Sequence, residues 1–362
     1  MVRYFDVIKS GGAKEEEPDG SKKSEKPERP ERRSRAVRFS DLEDRRLSID
    51  EGIVAPKTKR DIEQIKKFSL AVLNYIKEVK IRVVDNKSFE IEPALNIINE
   101  IINIPDLIKE IYQSSVHLDY EEEYLISRLP NILVCVLKIG QSMGYSKTEL
   151  LELGLSALLY DVGMFVVPEN IIKKEGKLND YEVSLVRKHV EMGRDILFPL
   201  RNDHPWLHRV AYEHHERENG QGYPRGLKGD EICEYAKIVG IIDVYDAMIH
   251  NRPHRKAMMQ HMSVRELIGS KNLFFSSKII KVFIKEISIY PVGSYVRLNT
   301  KATGVVIDTN EKNPMRPVVE LLFDVNGNAV TENNIVKLDE NQLIYIVDSV
   351  PKEEITSKTN SL

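Results

Sequence analysis

From about Thr58 to Gln113 the apolar residues recur at mostly three- and four-residue steps, with Ile62, Ile65, Phe68, Leu70, Val72, Leu73, Ile76 and Val79 in the first run. Such spacing is one face of an α-helix, because 3.6 residues complete a turn. The pattern resumes after Pro93 with Leu95, Ile98, Ile101 and Ile102, and a break is expected at Pro105. This stretch, 57–118, carries no cofactor motif and is expected to be a helical regulatory or dimerisation region. A longer helical body follows over 119–288. Within it Asn179 or Asp180 offers an N-cap for a helix running through Val186 and Met192, and Ser146 with Glu149 has capping-box spacing. Past Tyr290 the period changes to two. Tyr295 to Leu298, Gly304 to Ile307, Val318 to Phe323 and Leu343 to Val347 are strand-like, and Asn326-Gly327 is a hairpin-turn signal. The fold class that follows is mainly α, a helical bundle with an N-terminal helical region and a small β-rich appendage over 289–350, either a barrel or a meander. A flexible tail is expected over 351–362.

Composition narrows the class. Residues 13–50 are rich in Lys, Arg, Glu, Pro and Ser and almost empty of large apolar groups, so they cannot offset their ordering entropy. A short segment and disordered charged linker are therefore expected over 1–56. The formal net charge is −3, which supplies no basic field for nucleic acid. No window offers the ~20 apolar residues of a membrane span, and the N-terminus lacks the features of a secretory signal. Cys135 and Cys233 have no CxxC spacing and read as reduced core residues. A cytoplasmic protein is expected.

Candidate chemistry is concentrated in five residues of the helical body, Asp161, His189, His214, His215 and Asp243. Imidazole and carboxylate together suit a divalent transition metal ion such as Fe, Mn, Ni or Zn. Adjacent helical side chains diverge by about 100°, so His214-His215 is an unusual pair that a central ligand would explain. His117, His204, His208, His250, His254 and His261 read as surface or satisfied residues. Among these, His204 and His208 are an i, i+4 pair without a third partner.

Four blocks carry a resemblance: SALLYDVGMFVVPENII, KHVEMGRDIL, HHERENGQGYPRGLKGDEI and IIDVYDAMIHNRPHRKA, all between residues 156 and 257. Together they resemble the HD-GYP family of cyclic-di-GMP phosphodiesterases, metal-dependent phosphohydrolases of the HD superfamily. The resemblance covers roughly Tyr120 to Val350, since the strand-rich tail is similar to appendages that follow some HD-GYP domains. It implies two ions bridged by Asp161, one of them also held by His189, His214 and His215. For the other ion it implies an upstream His, the His of the His-Asp pair and Asp243. Those two histidine positions are Arg128 and Tyr160 here. A Glu that serves a third ion in some relatives is Tyr124, and a Lys found in many relatives is Met164, which cannot stabilise a phosphate oxygen. One ion is therefore expected to remain and the second site to be lost. Pro130 should kink or restart the helix that carries Arg128. The Arg128 guanidinium either occupies the vacated cation position, paired with Asp243 or Asp161, or points to solvent.

The same resemblance assigns Gly222, Tyr223 and Pro224 to a loop that shapes the dinucleotide pocket and contacts partners, such as diguanylate cyclase-type signalling proteins. Arg252, Arg255 and Lys256 are implied to face the phosphates of cyclic-di-GMP; a solvated basic turn is the alternative. Family hydrolysis is implied to use a hydroxide bridging two ions. Partial loss of such stabilisation costs several kcal/mol, roughly a hundredfold or more in rate. No residue is assigned a catalytic role. Three functions follow: an impaired member that binds cyclic-di-GMP or a partner as a regulator, a slow phosphodiesterase yielding pGpG or GMP, or a structural interaction domain with an empty pocket. A homodimer is compatible with each.

Overall fold

The computed structural model describes residues 59–357, except 105–106, 109–110, 113–122, 175, 251–257, 259, 270–273, 288, 291, 311–312, 331–333 and 352–353. The linker expected before residue 57 and the basic residues Arg252, Arg255 and Lys256 lie outside the described residues, as does the break expected at Pro105.

Helix α1 (Lys59–Val84) buries Ile65, Phe68, Val72, Leu73, Ile76 and Val79 on one stripe, as its period requires. Leu70 is an exception. It falls off the stripe and is 56% exposed, since no helical face can hold Leu70 together with Val72 and Leu73. Helix α2 (Glu92–Asn103) has Pro93 in its first turn, where a missing backbone donor costs little, and buries Ala94, Ile98 and Ile101.

Next come α3 (Tyr124–Ser127), α4 (Leu129–Ser142) and α5 (Lys147–Leu159), then a 3₁₀ turn, Val162–Val166. Pro130 sits in the first turn of α4, so the chain breaks at Arg128 and restarts, as expected. Ser146 and Glu149 form the capping box of α5. After α6 (Glu169–Ile172), Asn179 caps α7 (Asp180–Arg187), and Lys188 separates α7 from α8 (His189–Leu197). The continuous helix expected through Met192 is thus two helices, and the break puts His189 at the head of the second. Helices α9 (Leu207–Glu213), α10 (Glu234–Ile249), α11 (Gln260–Gly269) and α12 (Ser277–Glu286) complete the bundle.

The appendage is an antiparallel sheet of β1 (Tyr295–Leu298), β2 (Thr303–Asp308), β3 (Val318–Phe323), β4 (Ile335–Lys337) and β5 (Ile346–Ser349). Its order is β4-β3-β2-β1-β5, a four-strand meander with β5 returning beside β1. Asp324 receives the backbone N–H groups of Asn326 and Asn328, which closes the turn at Asn326-Gly327.

One hydrophobic core runs from Ile65 of α1 through the bundle to Val296, Val306 and Val319 of the sheet. The tail read as flexible over 351–362 instead forms a helical turn at 354–357. There Ile355 covers Phe323 and Val350, and Glu354 pairs with Arg297. An apolar side chain near open sheet surface is enough to hold it.

Candidate metal centre

Three helix ends and one helix face converge. Helix α5 ends in Tyr160 and Asp161, α8 begins with His189, α9 ends at His214-His215, and α10 contributes Asp243. Gly163 permits the approach of the 3₁₀ turn to α8. A Cβ there would lie 2.0 Å from the His189 carbonyl oxygen, so no other residue fits.

His189, His214 and His215 gather ligand atoms within 4.8 Å of one another. His189 Nδ1 donates to the Val186 carbonyl at 2.6 Å and His214 Nδ1 to the Ala211 carbonyl at 2.9 Å. Those bonds fix the tautomer, because a carbonyl can only accept. With Nδ1 occupied in this way each ring turns its Nε2 into the site, and the two Nε2 atoms lie 3.3 Å apart. Asp161 Oδ1 stands 3.3 Å from His189 Nε2, and buried His215 Nδ1 has no hydrogen-bond partner among the described residues. Burial, together with the neighbouring imidazoles, lowers the His214 pKa to about 4 and pushes that of His215 well below its usual value. These rings stay neutral at physiological pH, the state a metal ligand needs. The three imidazoles, with the Asp161 carboxylate beside His189, are a donor set that could hold a transition metal ion.

The other half of the site is filled by protein. Arg128 is 2% exposed; its Nη1 donates to Asp243 Oδ1 at 2.7 Å and its Nη2 to Asp161 Oδ2. Asp246 Oδ2 lies 3.9 Å from the same Nη1. Tyr160 donates its hydroxyl to Asp243 Oδ1 at 2.8 Å, and the rings of Tyr124 and Tyr160 stand 5.5 and 5.6 Å from the guanidinium carbon. Burial raises the Tyr160 pKa well above its usual value despite Arg128, so the phenol keeps its proton and donates. Burial also opposes charge on Arg128, yet Tyr160, Asp243 and Asp161 hold its pKa above the ordinary value. Of the two readings of Arg128, the structure shows the paired one. Asp243 accordingly faces Arg128 and Tyr160 and stands outside the three-histidine group. Met164 is buried with Leu125, Val167, Ile171 and Val186, so its side chain fills an apolar cluster beneath the turn.

The loop after His215 is tied to the site. Glu216 accepts the backbone N–H groups of Arg225 at 2.7 Å and Leu227 at 3.0 Å, and Gly222 lies so close to the Glu216–Arg217 backbone that a Cβ would come within 2.4 Å of Glu216 Cα. Tyr223 stacks on His215 with centroids 4.7 Å apart and planes at 21°. Pro224 follows through a cis peptide.

Sequence reasoning missed Asp246, Glu213 and Glu216. Asp246 lies one turn beyond Asp243 on the same face of α10; a second carboxylate at i+3 within the apolar run from Ile238 to Ile249 was the available signal. Buried Glu213 receives Arg225 Nη2 at 2.6 Å and the Cys233 backbone N–H at 2.8 Å. His250 is satisfied by Asp246 Oδ1 at 3.0 Å, while His204 and His208 pack edge-on against Trp206 and Phe198, away from the cluster. Both cysteines are free. No helix among the described residues is long and apolar enough to cross a membrane.

A family model described as HD domain matches residues 107–274, and one described as KOW domain associated with HD domain matches 295–358. The cyclic di-GMP phosphodiesterase PA4108 of Pseudomonas aeruginosa is 33% identical over 227 residues, 62% of this chain and 54% of that protein. The cyclic di-GMP phosphodiesterase PdeB of Borreliella burgdorferi is 27% identical over 210 residues, 58% of this chain and 55% of that protein. The chain spans about half the length of the curated relatives it matches. A solved structure, Bd1817, a HDG"Y"P protein from Bdellovibrio bacteriovorus, covers 66% of this chain and 76% of its own with a TM-score of 0.51 at 16% identity, a likeness of fold alone.

Proposed function

We propose that this chain, which belongs to the HD-GYP family, is a cyclic-di-GMP-binding regulator whose capacity to hydrolyse that ligand is strongly impaired. The observation that carries the reading is the buried Arg128 guanidinium, bonded to both Asp161 and Asp243. In the family arrangement Asp161 would bridge two ions and Asp243 would help to hold the second of them. Here one side of each is taken by a fixed organic cation.

Charge supports a single ion. Arg128 faces three carboxylates, Asp161, Asp243 and Asp246, and Asp246 also pairs with His250, whose pKa it raises despite burial, so part of the buried negative charge is already compensated by protein. An ion held by Asp161, His189, His214 and His215 would balance what remains, and each further ion would add buried positive charge. A bound ion would supply Lewis-acid polarisation of a phosphate oxygen. Arg128 cannot replace the rest of two-ion chemistry. A guanidinium carries no exchangeable water, and with its pKa held high it cannot accept a proton. Binding is thus retained while activation of a nucleophile loses one of its two centres. The relatives, named as cyclic di-GMP phosphodiesterases, support cyclic-di-GMP as the ligand.

The test combines three measurements on the purified chain. Elemental analysis should find close to one transition metal ion per chain, and calorimetry should show saturable binding of cyclic-di-GMP. Turnover to pGpG or GMP should be absent, or at least roughly a hundredfold below that of a two-ion site. Clear multiple turnover abolished by His215→Ala would instead identify a slow phosphodiesterase. A chain that takes up neither ion nor nucleotide would be a structural domain, and the proposal would be wrong.

A further inference from the structure

Arg187 closes α7 two residues before His189, and its guanidinium carbon lies 5.0 Å from the centroid of the Tyr223 ring that stacks on His215. It is exposed. Other described arginines stacked on rings are each tied by a polar bond. Arg128 binds Asp161 and Asp243, Arg194 binds Asp195, Arg201 the Phe198 carbonyl, Arg217 the His214 carbonyl and Arg225 the Glu213 carboxylate. Arg187 has the stack without any hydrogen bond or ion pair among the described residues.

A guanidinium held by its face keeps its N–H edge free, and that planar fork matches two oxygens of a phosphate group. The aromatic face restricts rotation of a side chain that would otherwise lose much entropy on binding. A basic residue in the last turn of α7 also suits the helix dipole. That explains a cation on the helix, yet it requires no contact with Tyr223. What the stack adds is position, next to the ring of one candidate metal ligand and at the head of the helix bearing another.

We infer that Arg187 is a phosphate-binding residue of this site, gripping a phosphodiester group of the ligand beside the three histidines, with Tyr223 as its platform. The inference rests on the reading of the ligand as a cyclic dinucleotide. It adds a contact on the described side of the pocket, independent of Arg252 and Arg255.

Calorimetry with two probes, cyclic-di-GMP and inorganic pyrophosphate, tests it on the metal-loaded chain. Arg187→Ala should weaken both by about tenfold or more, and Arg187→Lys should recover only part, because an ammonium keeps the charge and loses the fork. Metal content should stay at the wild-type value in both variants. Arg194→Ala, whose wild-type side chain is already paired with Asp195, should bind like wild type. Binding by Arg187→Ala within about twofold of wild type would overturn the inference while leaving the proposed function standing. Loss of metal along with affinity would also overturn it, by showing a structural role. If wild type binds pyrophosphate but not cyclic-di-GMP, the ligand reading fails and the pyrophosphate comparison still decides Arg187. If it binds neither, both fall.

Discussion

Replacing Arg128 by methionine removes the charge and keeps most of the volume. The consequence follows from what surrounds it. Asp161, Asp243 and Asp246 are left facing one another in a region where the Arg128 side chain is 1% exposed and the carboxylates 11, 6 and 4%. Removing one partner of a buried ion pair costs about 3–5 kcal/mol, because the remaining charge is neither hydrated nor compensated. Domains are stable by only roughly 5–15 kcal/mol, so this is a large fraction. The loss should depend on pH with a definite sign. Without the guanidinium, desolvation and mutual repulsion raise at least one carboxyl pKa above its unfolded value of about 3.9. A group with a raised folded pKa contributes stability that is fully present below the unfolded pKa and lost as pH rises through the folded one. The deficit of Arg128→Met is therefore largest near neutrality and shrinks toward acid. Urea unfolding of metal-free wild type and variant at several pH values measures it. Arg128→Met/Asp243→Asn, which removes one of the stranded charges, should regain part of the loss even if the single variant is too unstable to study. A deficit below about 1 kcal/mol, or one that does not shrink from neutral pH to pH 5, would refute the account.

Two further outcomes follow from the geometry. Gly163→Ala should lower metal content and destabilise the chain by at least about 1–3 kcal/mol, because the new methyl would meet the His189 carbonyl oxygen at 2.0 Å; elemental analysis and urea unfolding would read it, and unchanged metal binding would count against the close approach. Metal-free wild type should lose stability as pH falls from about 6.5, where an unfolded histidine begins to protonate, toward the value of about 4 to which burial holds His214. A lowered folded pKa means the unfolded chain binds more protons across that window, and His214 alone accounts for about 3 kcal/mol. Equal stability at pH 7 and pH 4.5 would contradict it.

Much of the fold was legible because local rules coincided with tertiary demand. The stripes of α1 and α2, the capping residues Ser146 and Asn179, the helix restart at Pro130 and a strand-rich appendage followed from period, caps and turn residues, while the choice of a meander over a barrel came from the structure. The histidine cluster was legible only as a list of residue types. Its geometry depends on helix breaks at Lys188 and after Glu213, and on backbone carbonyls of Val186 and Ala211 that orient the rings. Asp246, Glu213 and Glu216 escaped notice because an isolated acidic residue in a sequence looks the same whether it meets water or a buried donor.

What the sequence determined by itself was the inventory: three histidines, the carboxylates, and an arginine and a tyrosine where the family resemblance implies imidazoles. It also determined the helical period that carries them, since side-chain direction along a helix is a local property. Tertiary structure decided what each group faces. Arg128 could have pointed to solvent, and only the packing of α3, α4, α5 and α10 turns it onto Asp161 and Asp243. Arg187 and Tyr223, 36 positions apart in the chain, meet only when α7 and the loop after α9 close on the same pocket. Electrostatic energy depends on distance and burial, which no run of letters contains until the chain has folded.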